Sequence, residues 1–166
     1  MAYFQPMDVK RIGSTESHLV VPLFDRYRVF YRQPSNPELA RCFIEARLDN
    51  NESTIFVAMD GETAVGFVQL YPLFSSVKAA RNWILNDLFV EPAFRKRKIG
   101  RVLIQTALCF AREQGGKFVE LETGVDNVVA QGLYERMGFT RQTARADCFI
   151  YRIELAGPGM DAALRI

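Results

Sequence analysis

Val90–Arg101, which reads VEPAFRKRKIGR, is the stretch of this sequence that decides the fold. An apolar run typical of a strand ends at Val90, a short loop follows, and helical spacing begins at Ile99. Five of the seven residues in Arg95–Arg101 are cationic. A helix N-terminus offers unpaired amides and a positive dipole end to phosphates, and Gly100 lets a ligand approach the backbone closely. The stretch therefore predicts a cradle for a pyrophosphate.

Two other interpretations of the basic cluster stay open at this point. The cluster could be a solvated turn, or it could be a nucleic-acid or localisation patch. Neither of these needs a strand-to-helix junction, and this context favours the anion site. The net charge of +2 is too small to indicate a nucleic-acid or membrane partner by itself.

The rest of the chain surrounds this junction with alternating strands and helices. Residues 7–12 form a first strand, and two amphipathic helices follow. Ser35-Asn36-Pro37-Glu38 reads as a capping box that opens the second helix. The apolar side of that helix is predicted as Leu39, Cys42, Phe43 and Ala46.

Further strands lie on both sides of the junction. Asp60-Gly61 predicts a hairpin, and a second hairpin leads into the strand Asn82–Val90. After the helix that begins at Ile99 come a strand over 117–123, a helix capped at 126–127, and one last strand over 146–155. The order β-α-α-β-β-β-α-β-α-β predicts an α/β sandwich around a mixed sheet.

The bulk composition fits one cytosolic domain. The 166 residues are 49% hydrophobic and 24% charged, which is normal for a globular domain with its own core. We predict a single domain over 1–166, with a core of about 7–155 and a loose tail over 156–166. The N-terminus has no apolar signal region, and no apolar run is long enough to span a bilayer.

The three cysteines support the same location. Cys42, Cys109 and Cys148 are odd in number and form no CxxC pair, so a reducing compartment is the natural interpretation. We expect Cys42 and Cys109 to be small buried hydrophobes on helices. The sequence thus predicts a cytoplasmic protein without a membrane partner.

A second motif runs from Asn127 to Phe139 and reads NVVAQGLYERMGF. It resembles a block of the GNAT superfamily of N-acetyltransferases, Asn-x-x-Ala-x-x-Leu-Tyr-Glu-x-x-Gly-Phe, with every fixed position matched. The run Arg95–Gly100 resembles the acetyl-coenzyme A signature of the same family, Arg/Gln-x-x-Gly-x-Gly/Ala, with Lys98 in place of its first glycine. The similarity covers roughly residues 54–151. It implies an α/β fold with a GNAT-like mixed, mostly antiparallel sheet flanked by helices on both faces.

The resemblance also implies a co-substrate and roles for individual residues. Acetyl-coenzyme A would donate the acetyl group, and no metal is expected. Backbone groups of Leu88, Phe89 and Val90 would pair with the pantetheine arm as though it were an extra strand. Asn127 would hydrogen-bond that arm, and Tyr134 would place its hydroxyl near the thioester sulfur. The phosphates would lie against Arg95, Lys96, Arg97, Lys98, Ile99, Gly100 and Arg101.

The chemistry explains why a tyrosine and an acid are wanted in such a site. A phenol with a pKa of about 10 stays protonated at neutral pH and can protonate a leaving thiolate, whose pKa is about 8.5. Asp87 could bind the acceptor ammonium or accept its proton through water. In the diamine acetyltransferases, which this strand resembles, two acids occupy the positions of Asn86 and Asp87. A purely structural role for Asp87 stays equally open.

The sequence therefore predicts direct transfer of an acetyl group from acetyl-coenzyme A to a primary amine. A small polyamine-like amine, an amino sugar and a protein lysine are all open as acceptors. The alternative is a non-catalytic sensor that binds acyl-coenzyme A in the same cradle. A nucleic-acid module is disfavoured, because basic and aromatic residues are not clustered elsewhere. From the resemblance we also expect a homodimer.

Overall fold

A seven-stranded mixed sheet and four α-helices make up the residues that the computed structural model describes, 7–144 and 148–155. The strands are Asp8–Ile12 (β1), Thr54–Asp60 (β2), Thr63–Ser75 (β3), Ala80–Val90 (β4), Phe118–Gly124 (β5), Thr140–Ala144 (β6) and Cys148–Glu154 (β7). The helices are Ser17–Phe30 (α1), Pro37–Asp49 (α2), Ile99–Glu113 (α3) and Val128–Arg136 (α4). The strand order is β1-β2-β3-β4-β5-β7-β6.

The pairing of the strands combines antiparallel ladders with one parallel pair. Strands β1 and β2, β5 and β7, and β6 and β7 pair antiparallel, whereas β4 and β5 pair in parallel. By residue contacts the chain divides into two units. The N-terminal unit comprises Met1–Gln69 and Asp87–Ile104, and the C-terminal unit comprises Leu70–Asn86 and Gln105–Ile166. The predicted single domain stays a prediction.

The core of the N-terminal unit lies between the sheet and the helices α1 and α2. Strand β2 is buried over most of its length, and Phe67 and Phe89 extend its apolar surface onto β3 and β4. The buried residues that α1 and α2 add are Val20, Leu23, Phe24, Ala40 and Ile44. Helix α1 continues through Pro22, which removes one backbone donor from its middle.

The predicted apolar side of α2 is wrong by one position. Ala40 and Ile44 face the core, whereas Leu39 is 51% exposed and Phe43 is 37% exposed. The spacing of four residues from Ala40 to Ile44 and on to Leu48 forms the true buried stripe. Phe43 instead stacks on Phe24 at the rim of the core, with 5.4 Å between ring centroids.

The connection between α1 and α2 is organised around a buried carboxylate. Asn36 is the N-cap of α2 and accepts a hydrogen bond from the Leu39 amide at 3.0 Å, so the predicted capping role of Ser35 is wrong. The Ser35 hydroxyl donates to Asp25 at 2.6 Å, and the Asn36 amide donates to Asp25 at 2.8 Å. The Ser35 bond first, and then the Asn36 and Arg28 contacts, hold the pKa of the Asp25 carboxyl below its usual range although burial raises it.

The C-terminal unit contains one strand that the sequence pattern did not predict. Strand β6 has the polar sequence TRQTA, whose lack of apolar alternation hides it, and it pairs with β7. The predicted tail over 156–166 lies outside the described residues. The prediction that Cys42 and Cys109 are buried is wrong, because both are exposed on the outer sides of their helices. Within the described ranges, no helix is both long and apolar enough to span a membrane.

Replacing Asp25 by asparagine should lower the free energy of unfolding by about 1–3 kcal/mol at neutral pH, because hydrogen bonds to a charged group are weakened. The folded-state pKa is lowered, so the advantage of the wild type is present above the usual aspartate pKa of about 3.9. It is lost as the pH falls through the folded-state pKa. Urea unfolding at a series of pH values measures both effects.

The exposed Asp49 at the end of α2 provides a matched control. Asp49→Asn should change the free energy of unfolding by no more than about 0.5 kcal/mol. A stability difference between wild type and Asp25→Asn that does not depend on pH would contradict the role of the ionised carboxyl.

Candidate active site

Helix α3 begins directly after Lys98, whose side chain cannot cap the first backbone amides of the helix. The first backbone hydrogen bond of the helix runs from the Val102 amide to the Lys98 carbonyl at 3.1 Å, which makes Lys98 the residue before the first turn. The amides of Ile99, Gly100 and Arg101 therefore precede the intrahelical ladder. A lysine side chain donates hydrogen bonds and accepts none, so it cannot act as an N-cap. The start of α3 fits an external anion.

The backbone of the loop before α3 is folded back by two left-handed residues. Lys96 has φ 64° and Lys98 has φ 63°. Glycine adopts this conformation without steric cost, whereas a side chain with a Cβ costs roughly 1–2 kcal/mol there. The position of Lys98 is where the resembled signature has its first glycine, and the left-handed backbone explains why glycine is favoured at that position.

The five cations of the loop and first turn divide into two groups. Arg95 donates from Nε to the Val90 carbonyl at 2.9 Å, and Arg97 is 3.3 Å from a carboxylate oxygen of Asp60. These two arginines are therefore tied to the fold. The second group consists of three exposed cations at the start of the helix, Lys96, Lys98 and Arg101. All five lie in the N-terminal unit.

The end of β4 is packed closely against α3. The Glu91 amide donates to the Val65 carbonyl at 2.9 Å, which fixes the register of β3 and β4. At Gly66, an added Cβ would lie 2.9 Å from the Phe89 carbonyl oxygen and 3.3 Å from both Leu103 and Val90 side-chain carbons. The missing side chain therefore allows the first turns of α3 to lie directly on the strands that precede the loop.

Asp87 lies on the opposite face of β4 and is buried. Its side chain is 4% exposed, and its Oδ2 accepts a hydrogen bond from Gln69 Nε2 at 2.6 Å. Asn86, the neighbouring residue in the predicted pair of positions, is exposed. Since side chains alternate along a strand, Asp87 shares the face of Phe89, which carries the α1 and α2 core.

The polar residue Gln69 was not among the predicted site residues. A signal for it exists in the sequence, because it interrupts the otherwise apolar run of β3 from Ala64 to Leu70. A polar side chain at such a position is buried with its strand and needs a partner. Asp87 is the partner that the structure provides.

Asn127 and Tyr134 belong to the C-terminal unit and lie on one face of α4. Asn127 is the N-cap, and its Oδ1 accepts a hydrogen bond from the Ala130 amide at 3.3 Å. Seven residues are about two helical turns, so Tyr134 follows on the same side. Tyr134 is buried, 7% exposed, with its ring centroid 5.8 Å from Phe139 and 6.1 Å from Tyr151. Tyr134 is therefore a buried residue and not a half-buried tyrosine on the surface of α4.

Gln131 is a second residue that the sequence did not single out. It lies between Asn127 and Tyr134 on α4 and is buried. Its Nε2 donates to the carbonyl oxygens of Gly124 at 2.9 Å and Val125 at 3.0 Å. The amide therefore fastens α4 to the end of β5 and positions the helix that carries Tyr134.

The model of the acetyltransferase (GNAT) family matches residues 20–139, most of the chain and both motifs. The chain belongs to the GNAT acetyltransferase family. An uncharacterized N-acetyltransferase of Bacillus subtilis, YhfO, is 41% identical over 137 residues, which are 82% of this chain and 92% of the relative.

Solved structures agree with this assignment. The crystal structure of a probable acetyltransferase is 40% identical, with a TM-score of 0.78 over 82% of this chain and 92% of that one. A crystal structure of Arabidopsis thaliana NAA60 in complex with acetyl-CoA shares the fold, with 17% identity and a TM-score of 0.74 over 92% of this chain and 100% of that one.

Family membership confirms the predicted GNAT fold, with its mixed, mostly antiparallel sheet and helices on both faces. Acetyl-coenzyme A, the predicted co-substrate, is the donor that membership of this acetyltransferase family assigns to the chain. The roles predicted for Asp87, Asn127, Tyr134 and the loop residues stay predictions. Among the residues with described positions, no group of three His, Cys, Asp or Glu is arranged to hold a metal ion.

Replacing Gly66 by alanine should separate α3 from the end of β4, since the new Cβ would meet the Phe89 carbonyl at 2.9 Å. We expect a loss of about 1–3 kcal/mol in the free energy of unfolding and weaker binding of coenzyme A. Urea unfolding and calorimetry measure the two effects. Gly13→Ala is the matched control, because nothing lies within 4 Å of its added Cβ. Equal behaviour of the two variants would contradict the close packing.

Replacing Lys98 by glycine should relieve the left-handed strain and raise the free energy of unfolding by roughly 0.5–1 kcal/mol. Coenzyme A binding should lose part of its salt dependence, because one cation is removed. Lys117→Gly is the control, at an exposed lysine outside the left-handed residues, and it should not stabilise the protein. A loss of stability in Lys98→Gly would show that the left-handed backbone is not strained.

Proposed function

We propose that this acetyltransferase transfers the acetyl group of acetyl-coenzyme A directly to a primary amine. The observation that carries the choice of acceptor is the buried carboxylate of Asp87, on the strand that leads into the cradle of α3. A buried carboxylate is favourable where a cation or hydrogen-bond donors meet it. A carboxylate accepts more than one hydrogen bond, so an ammonium group would add a charge and a second donor to the bond from Gln69.

In this proposal acetyl-coenzyme A binds through its pyrophosphate. The amides of Ile99, Gly100 and Arg101 would hold the phosphate oxygens, and the exposed lysines of the loop would add charge. The pantetheine arm would run along the backbone of Leu88, Phe89 and Val90. The cap of α4 uses Asn127 Oδ1, so a contact of Asn127 with the arm would be donated by its Nδ2 group.

The proposed transfer is direct and forms no covalent intermediate with the enzyme. The neutral amine nitrogen attacks the thioester carbonyl carbon, so that a C–N bond forms, the nitrogen gives up one proton to solvent, and the C–S bond breaks. The leaving thiolate takes the proton of the Tyr134 hydroxyl, and the phenolate regains a proton from solvent. Starting from the ammonium form, one proton is released for each acetyl group transferred. The Leu88 amide would donate to the oxyanion that develops in between.

Asp87 would hold the acceptor and receive its proton, directly or through water. A lysine-like amine has a pKa of about 10.4 and arrives as an ammonium ion at neutral pH, so a carboxylate at its binding position attracts it. Polyamines, amino sugars and protein lysines all carry such a group. The predicted homodimer and the cytoplasmic location stay predictions.

A non-catalytic acyl-coenzyme A sensor is the second candidate, and one experiment separates it from an enzyme. Thiol release from acetyl-coenzyme A is followed with spermidine, kanamycin and a lysine-containing peptide. We expect at least one amine to be acetylated, as confirmed by mass spectrometry. Tight binding of acetyl-coenzyme A without turnover of any amine in a wide panel would favour the sensor.

Tyr134→Phe should lower kcat by about 100-fold or more, because the leaving thiolate loses its proton donor, while the Kd for acetyl-coenzyme A stays near the wild-type value. Steady-state kinetics and calorimetry measure the two quantities. Tyr151→Phe is the matched control: it removes a hydroxyl that pairs with Arg141 and Glu135 in the same unit, and should affect stability more than kcat. An unchanged kcat in Tyr134→Phe would remove its acid role.

A further inference from the structure

Gln69 is a buried polar side chain for which the transfer chemistry above has no use. It is fully buried, at 0% exposure, on β3, which lies next to β4 in the sheet and so brings Gln69 to Asp87. Its Nε2 donates to Asp87 Oδ2 at 2.6 Å. The two side chains therefore form a cross-strand pair, and they lie on the same face of β3 and β4 as Phe67 and Phe89, which pack against α1.

The orientation of the Gln69 amide is dictated by its partner. An ionised carboxylate only accepts hydrogen bonds, so Gln69 must present its NH₂ group to Asp87 and direct its carbonyl oxygen elsewhere. That oxygen, Oε1, is buried, and within the described residues no donor lies at hydrogen-bond distance from it. Leaving a buried acceptor in this state is unfavourable. This oxygen is therefore an acceptor that a bound hydrogen-bond donor would satisfy.

The residues around the Gln69–Asp87 pair indicate which kind of hydrogen-bond donor would bind there. The next cross-strand pair along β3 and β4, about 7 Å away, consists of Phe67 and Phe89, whose ring centroids are 6.5 Å apart. The Tyr27 ring of α1 lies 5.9 Å from Phe67 and 6.4 Å from Phe89. Aromatic faces attract cations and also pack against methylene groups. An ammonium ion on an aliphatic chain fits these surroundings, because the carboxylate and the amide oxygen accept its hydrogen bonds and the aromatic rings pack against its methylene groups.

We infer that Gln69 Oε1 and Asp87 together bind the acceptor as a primary ammonium ion, which makes Gln69 a specificity-determining residue of the enzyme. The inference rests on the proposed function, since it places the acceptor amine at this pair. Of the three N–H donors of a primary ammonium ion, one meets Asp87 and one meets Gln69. A quaternary ammonium ion has the same charge and no N–H group, so it cannot satisfy Oε1.

The direct test uses a probe that does not depend on turnover. The protein labelled with ¹⁵N is titrated with n-butylammonium chloride and, in parallel, with n-butyltrimethylammonium chloride. Gln69→Met, which removes the amide and keeps the length of the side chain, assigns the Gln69 NH₂ signals. We expect n-butylammonium to shift these signals in a saturable manner, and the quaternary ion to leave them in place. Equal shifts with both ions, or none, would overturn the inference.

Kinetics with the amine that the panel identifies provide the second readout. Gln69→Met should raise the KM for the amine by roughly 10- to 100-fold, as expected for a lost hydrogen bond to a charged group, and leave the Kd for acetyl-coenzyme A unchanged. Asp87→Asn should raise the same KM. The double variant should lose less than the product of the two single effects, because both residues bind one group.

A pH profile separates binding from a structural role of the amide. Gln69→Glu keeps the size of the side chain and sets two carboxyl groups side by side, which raises the pKa of the pair. The acid limb of kcat/KM should therefore move to higher pH. Ser53→Ala, which removes another buried oxygen without a described partner, is the control and should leave the KM and the pH profile unchanged.

The outcomes for the two proposals remain distinct. An inactive wild type whose Gln69 signals respond to n-butylammonium would refute the proposed function and keep the ammonium site. An active wild type whose KM and pH profile are unaffected by Gln69→Met and Gln69→Glu would refute the ammonium site and keep the transferase. Should Gln69→Met fail to fold, Gln69→Glu and the titration of the wild type decide the question.

Discussion

The amides at the start of α3, which precede the backbone ladder of the helix, are the physical constraint on which the proposed binding of the cofactor depends. A helix N-terminus needs hydrogen-bond acceptors, and most helices obtain one from a serine, threonine, aspartate or asparagine at the N-cap. α2 and α4 follow this rule with Asn36 and Asn127, whereas α3 follows a lysine that only donates. Helix α1 also lacks a side-chain cap at Glu16, but it continues from a 3-10 turn over Ser14–Glu16, so the start of α3 is where we propose that an anion binds.

The strand pair β3 and β4 gives the N-terminal unit two faces, and each carries one of the proposed sites. On one face, Gly66 allows α3 to lie against Phe89 and Val90, so the cradle is built on rigid strands. On the other face, the same strands carry the Gln69–Asp87 pair beside the aromatic core of α1. Because side chains alternate along a strand, the same two strands would support the proposed donor binding on one face and the proposed amine binding on the other.

The features that the sequence predicted are those with local physical signatures. The strand-to-helix junction, the Asp60-Gly61 hairpin and the Asn127 cap each depend on a few neighbouring residues, and the structure contains all three. The family motifs identified the fold because they include the junction itself. The burial of Asp87 also agrees with its place within an apolar strand.

The features that the sequence did not predict depend on contacts between distant segments. The phase of α2 follows from its docking on α1, which turned Ala40 and Ile44 rather than Leu39 and Phe43 inward. Strand β6 is held by pairing with β7 and not by its own polar pattern. The pairing of Gln69 could not be predicted, since its partner Asp87 lies 18 positions further along the chain and meets it only when β3 and β4 lie side by side.

The most direct test of the central claim compares the binding of acetyl-coenzyme A with that of S-acetylpantetheine, which lacks the phosphates and the adenosine, by isothermal titration calorimetry at two salt concentrations. If the start of α3 holds the pyrophosphate, acetyl-coenzyme A binds roughly 100-fold or more tightly than S-acetylpantetheine, and added salt narrows the gap. Equal affinities for the two thioesters, or no binding of acetyl-coenzyme A at either salt concentration, would contradict the account.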